Sequence, residues 1–126
     1  MKINKFEDLE CWQQARILAR RIYRFAKKKE FSKDYRLRDQ ITGAAISVMN
    51  NIAEGFDSQS NNEFMRFLRI SRRSVSEIKN CLYVALDQDY INNIEFSNAC
   101  ELCEKVKQII DGFLRYLRNH RTNPTN

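Results

Sequence analysis

Residues 40–56 read QITGAAISVMNNIAEGF, and this stretch decides the fold. Ile41, Ala45, Val48 and Ile52 recur at helical spacing, which marks a stripe facing a core. Gln40, Ser47, Asn51 and Glu54 fall at i, i+7, i+11 and i+14, so they line the edge of the same face. Gly55 is expected to stop the helix, and Gly43 inside it to mark a close approach between helices. Polar groups confined to one ridge imply specific bonding, either inside the fold or across a subunit interface.

Three further helices extend the pattern. Upstream, a helix is expected from about Phe6 to Glu30, with Trp12, Ala15, Ala19, Ile22 and Ala26 as its stripe and Cys11, Leu18 and Phe25 widening it. Ser32 or Asp34 can then cap the helix that contains the opening stretch. Downstream, Ser60-Asn61-Asn62-Glu63 reads as a capping box. It starts a helix that runs to about Asp89, with Phe64, Phe67, Leu68, Ser71, Val75, Ile78, Leu82 and Ala85 on its core face. Asn92-Asn93-Ile94-Glu95 opens the last helix, striped by Ala99, Leu102, Val106, Ile109, Phe113 and Leu117 and ending near Asn119. Long amphipathic helices with short connections favour antiparallel neighbours, so the expected fold is an all-α, up-down-up-down four-helix bundle. Residues 1–120 form one domain in this reading, and 121–126 a disordered tail.

Composition agrees. Only three Gly and one Pro interrupt 126 residues, too few breakers for anything but long helices. Hydrophobic residues at 43% can support a core, unlike a disordered chain. No apolar run reaches the roughly 20 residues of a membrane span, and MKINKFEDLECWQQ lacks the apolar centre of a signal peptide. Cys11, Cys81, Cys100 and Cys103 sit at apolar-periodic positions, which reads as reduced core thiols in a cytoplasmic protein. Cys100 and Cys103 form a C-x-x-C pair, but the one histidine, His120, is terminal, so neither a zinc site nor any other metal or cofactor is expected.

Catalysis has little to stand on. There is no phosphate loop, no nucleophile elbow and no Glu-x-x-His of di-iron bundles. Glu54 and Glu77 are the carboxylates nearest a paired acid/base role. Bonding across a helix interface is the stronger reading, with Asn51 and Glu54 meeting Ser74 and Glu77 in a network that locks the two middle helices. The charge is more telling. Net charge is +6, and residues 16–38 hold ten Lys/Arg against Glu30 and Asp34. Arg16, Arg20, Arg24 and Lys27, with Lys28 beside them, form one ridge; Arg66, Arg69 and Arg73 form another, with Arg72 and Lys79 nearby. Such ridges suit phosphate contact without reading bases, although many basic helix faces are simply solvated.

Three windows together resemble one family: FEDLECWQQARILARRIY, DQITGAAISVMNNIAEGF and FMRFLRISRRSVSEIKNCLYVALDQDYI. They look like the bacterial four-helix bundle family that includes intervening-sequence proteins encoded within large-subunit ribosomal RNA genes. That family also includes relatives of Avd, the accessory variability determinant of diversity-generating retroelements. The matching positions are Phe6, Leu9, Trp12 and Tyr23, then Gln40, Ser47 and Asn51 to Gly55, then Phe64, Phe67, Leu68, Ser74, Glu77, Leu82 and Tyr90. Ser32 stands where members often have Pro, and Arg73 where Gly is usual. The resemblance implies a homopentameric ring without catalytic residues. Its Avd-like branch implies binding of nucleic acid and a reverse transcriptase. The resulting expectation is a non-enzymatic bundle that binds nucleic-acid backbone through basic helix faces, the alternatives being an Avd-like accessory subunit or a purely structural module.

Overall fold

The first predicted helix is broken twice, at Leu9 and at Lys28, and the reason for the second break is Phe31. Continued as one helix from Ala15, the chain would place Phe31 about 160° from the core stripe, facing water. In the computed structural model, which describes residues 2–120, a 3-10 turn at Phe6–Asp8 leads into α1 (Glu10–Ala26) and the backbone then becomes extended at Lys28. A short helix, α2 (Lys29–Lys33), swings Phe31 inward, where it is fully buried and stacks on Tyr90 at 5.3 Å. The tail expected over 121–126 lies outside the described residues.

Of the two candidate caps for α3 (Tyr35–Asp57), Asp34 serves: its Oδ1 accepts from the Leu37 amide at 3.1 Å, and its Oδ2 from the Tyr90 hydroxyl at 2.9 Å. Gly55 does not stop this helix. The left-handed residue of the following turn is Gln59, at φ 62°. Gly55 lies inside α3, where a Cβ would stand 2.8 Å from Phe64 Cδ1 and 2.9 Å from Phe67 Cβ. Gly43, expected at a close approach, has open space around its Cβ position. The close approach belongs to Gly55, and Gly43 neither packs closely nor ends the helix.

In α4 (Asn61–Asp87) only half of the expected capping box forms. Ser60 accepts from the Glu63 amide at 3.3 Å, while the Glu63 carboxylate turns to Arg66. The box at α5 (Asn93–Asn119) is complete, with Asn92 and Glu95 exchanging bonds of 2.8 and 2.9 Å. Each of these helices has 27 residues, about 40 Å.

The core is built from Leu18 and Ile22 of α1, Ile41, Val48 and Ile52 of α3, Leu68, Val75, Ile78 and Leu82 of α4, and Val106 and Ile110 of α5. On α5 the buried row is Ala99, Cys103, Val106, Ile110, Leu114 and Leu117. Leu102, Ile109 and Phe113, expected on that stripe, are half-buried on its flank. Ile109 and Phe113 there share a cavity with Leu9 and Cys11. α1 and α4 each pack against both α3 and α5 and lie diagonally across the bundle from one another. Cys11, Cys81 and Cys103 are buried, Cys100 is half-buried, and none is bridged. Burial pushes the Cys11 and Cys103 thiols up to about 12, so neither ionises near neutrality. Among the described residues no helix is long and apolar enough to cross a membrane, and no group of three or more His, Cys, Asp or Glu is placed to hold a metal ion.

Candidate nucleic-acid interface

The polar ridge of α3 meets α4 along part of its length. Gln40 donates to the Glu77 carboxylate, the Ser47 and Ser74 hydroxyls share a bond of 2.8 Å, and Ser71 donates to the Val48 carbonyl at 2.8 Å. Partner numbers fall along α4 as they rise along α3, so the two helices run antiparallel. Asn51 bonds within its own helix, donating to the Ser47 carbonyl at 2.8 Å and the Ser47 hydroxyl at 3.1 Å. Glu54 is exposed and bonds to nothing among the described residues. The register explains this. The Ser71–Val48 pairing sets Glu54 level with about Met65, where α4 offers no free polar group: Arg66 is held by Glu63 and lies over the Phe67 ring at 4.6 Å. The expected meeting of Glu54 with Glu77 therefore fails. Glu77 is level with Gln40, about 20 Å along the helix from Glu54, which leaves no geometry for a paired acid/base role.

Several of the basic residues are neutralised inside the bundle surface. Arg72 bonds Asp111 at 2.6 Å, and Lys79 bonds Glu104 at 3.0 Å. The hydrogen-bonded carboxylates hold both cations above their ordinary values, and Lys79 in turn holds Glu104 below its own. These pairs join α4 to an antiparallel α5. The signal for them is in the sequence, since Arg72 and Lys79 stand seven apart, as do Glu104 and Asp111. Lys28, assigned to the α1 ridge, is bonded to Glu95 at 2.7 Å, and Arg66 to Glu63 at 3.0 Å.

Arg16, Arg20, Arg24 and Lys27 remain. All four are exposed, and among the described residues none forms an ion pair; Arg16 lies against the Trp12 ring, 5.8 Å from its centroid. Half-buried Arg21, beside them, is likewise without a carboxylate. The ridge spans twelve residues, roughly 16 Å from first to last, in steps of three and four that keep every charge on one face. Arg69 and Arg73 are also exposed and unpaired, but α4 lies diagonally opposite α1, so the fold puts the two basic ridges on opposite sides of the bundle.

A crystal structure of a protein of unknown function from the S23 ribosomal protein family of Bacteroides thetaiotaomicron VPI-5482 has a similar fold, with TM-score 0.75 at 20% identity over 82% of this chain and 97% of that one. A comparison with curated proteins gives no match. The family described as 23S rRNA-intervening sequence protein matches residues 7–112, almost the whole of the helical bundle. The three windows around the Asn-Ile-Ala-Glu-Gly run and this match agree, and the chain belongs to the 23S rRNA-intervening sequence protein family.

Proposed function

We propose that this protein is a non-enzymatic, up-down-up-down four-helix bundle that assembles as a homopentameric ring and binds nucleic-acid backbone. The observation that carries the proposal is the state of the α1 ridge. Arg16, Arg20, Arg24 and Lys27 are exposed without carboxylate partners, whereas Lys28, Arg66, Arg72 and Lys79 are paired. Unpaired like charges in one row repel each other, and a polyanion relieves that repulsion while releasing its counterions. Five copies at +6 each would carry +30, a field strong enough to concentrate a polyanion at the ring.

Binding of this kind shows little sequence preference and weakens as salt rises. In gel shifts against RNA and against single-stranded and duplex DNA, the wild-type protein is expected to retard nucleic acid at low salt. Charge reversal at Arg16, Arg20 and Arg24 together should abolish that shift while the melting curve stays cooperative. Absence of any salt-sensitive shift for the wild type would refute the proposal and leave a structural or protein-binding module, including an accessory subunit for a reverse transcriptase.

A further inference from the structure

The α1 ridge has an aromatic border. Glu10 and Cys11 of α1 face α5 across the cavity they share with Ile109, Gly112 and Phe113. Trp12 and Tyr23, eleven residues apart and therefore on one line of the helix, take the opposite flank, toward α3. On α3 the flank turned away from Gln40 and Ser47 carries Tyr35, Thr42 and Ile46. The outer edge of the α1–α3 seam thus gathers Tyr23, which is 38% exposed, Tyr35, which is 65% exposed, and Ile46. Neither tyrosine hydroxyl has a hydrogen-bond partner among the described residues, and the Arg38 guanidinium lies over the Tyr35 ring at 4.8 Å. Leu9, just before α1, shares a cavity with Gly55 and Phe56 of α3, which sets Tyr23 level with about Thr42 and the two tyrosines roughly 10 Å apart along the bundle.

From this juxtaposition we infer that the ligand of the α1 ridge is an unpaired polynucleotide strand, with phosphates along Arg16, Arg20, Arg24 and Lys27 and bases stacked on Tyr23 and Tyr35. The inference rests on the proposed nucleic-acid binding and names its substrate class. A duplex keeps its base planes inside the helix and gives exposed tyrosines nothing to stack on. A single strand offers both its charge and its planes, and surfaces that bind one combine a basic track with aromatic platforms. Stacking is blind to base identity, so little sequence preference follows.

Fluorescence anisotropy with one pyrimidine-rich sequence, as a single strand in RNA and DNA form and as its duplex, tests the assignment on the full chain. Both single strands should bind more tightly than the duplex, and Tyr23→Ala and Tyr35→Ala should each weaken single-strand binding roughly tenfold. Tyr23→Phe, which keeps the ring, should bind like wild type, and duplex binding should change little in any of these variants. Equal affinity for strand and duplex with no effect of the tyrosines would overturn this inference alone; no binding to either would overturn the proposed function with it. A more than tenfold preference for ribose that survives Tyr23→Ala and Tyr35→Ala would place recognition on the 2′-hydroxyl and contradict the stacking arrangement. A tyrosine variant that lowers the assembly's mass while leaving its affinity unchanged would show the surface to be a contact between copies of the chain.

Discussion

The two glycines of α3 show how a residue's role depends on what stands opposite it. Gly55 admits Phe64 and Phe67 to the α3 backbone, so a methyl group there has to displace an aromatic ring and a Cβ. Gly43 meets nothing, and its cost is only the lost helix propensity. Gly55→Ala should therefore lower stability by about 1–3 kcal/mol, and Gly43→Ala should raise it by up to about 1 kcal/mol. Urea denaturation of the two variants against wild type reads both signs, and equal effects would contradict the packing described. Glu54 makes the same point for polar residues. Its spacing joins it to Gln40, Ser47 and Asn51, but the neighbouring helix has no free partner at its level.

Between elements, buried polar bonds and semi-exposed ion pairs fix which helix lies beside which. Lys28 pins the end of α1 to the N-terminus of α5 through Glu95, a carboxylate that also completes the α5 capping box. The Lys28 ammonium, and then the Asn92 amide, hold Glu95 below its ordinary value of 4.5. On acidification the unfolded chain takes up its proton first. The stabilisation is therefore whole above about pH 4.5 and is lost as pH falls through the folded value. Solvent screens the pair, so the loss should not exceed about 1 kcal/mol. Urea midpoints measured from pH 7 to pH 3 should fall less steeply for Glu95→Gln than for wild type, and parallel curves would contradict the linkage.

At this scale the sequence is also most readable. Four amphipathic stripes locate the long helices because the 3.6-residue period is a local property of the chain. The break between α1 and α2 is hidden, because Phe31 turns inward to meet Tyr90, which lies far along the chain. The row that α5 buries was hidden for a related reason. Its apolar residues occupy two adjacent lines, and only the position of α1 decides that Cys103, Ile110 and Leu114 go inside. The charged ridges of α1 and α4 could be seen in the sequence; which of their cations are already neutralised could not.

For the whole molecule, folding sorts the basic residues singled out in the sequence. Lys28, Arg66, Arg72 and Lys79 are spent on neighbouring carboxylates, while the α1 ridge and, on the opposite side, Arg69 and Arg73 of α4 are left facing solvent. In the proposed function, fold and binding thus fall to different arginines. The α3–α4 seam, with its polar ridge from Gln40 to Asn51, serves the packing. The α1 face, with its tyrosine border, is the surface we propose for a ligand.

The salt dependence of binding tests that division most directly. For a single strand, the plot of log affinity against log salt has a slope of about −0.7 per phosphate contact. Replacing Arg20, Arg24 and Lys27 together with Gln should make the slope shallower by about 2 while the melting temperature stays within a few degrees of wild type. A slope left unchanged by those three substitutions would mean that the α1 ridge does not touch phosphate, and would contradict the account.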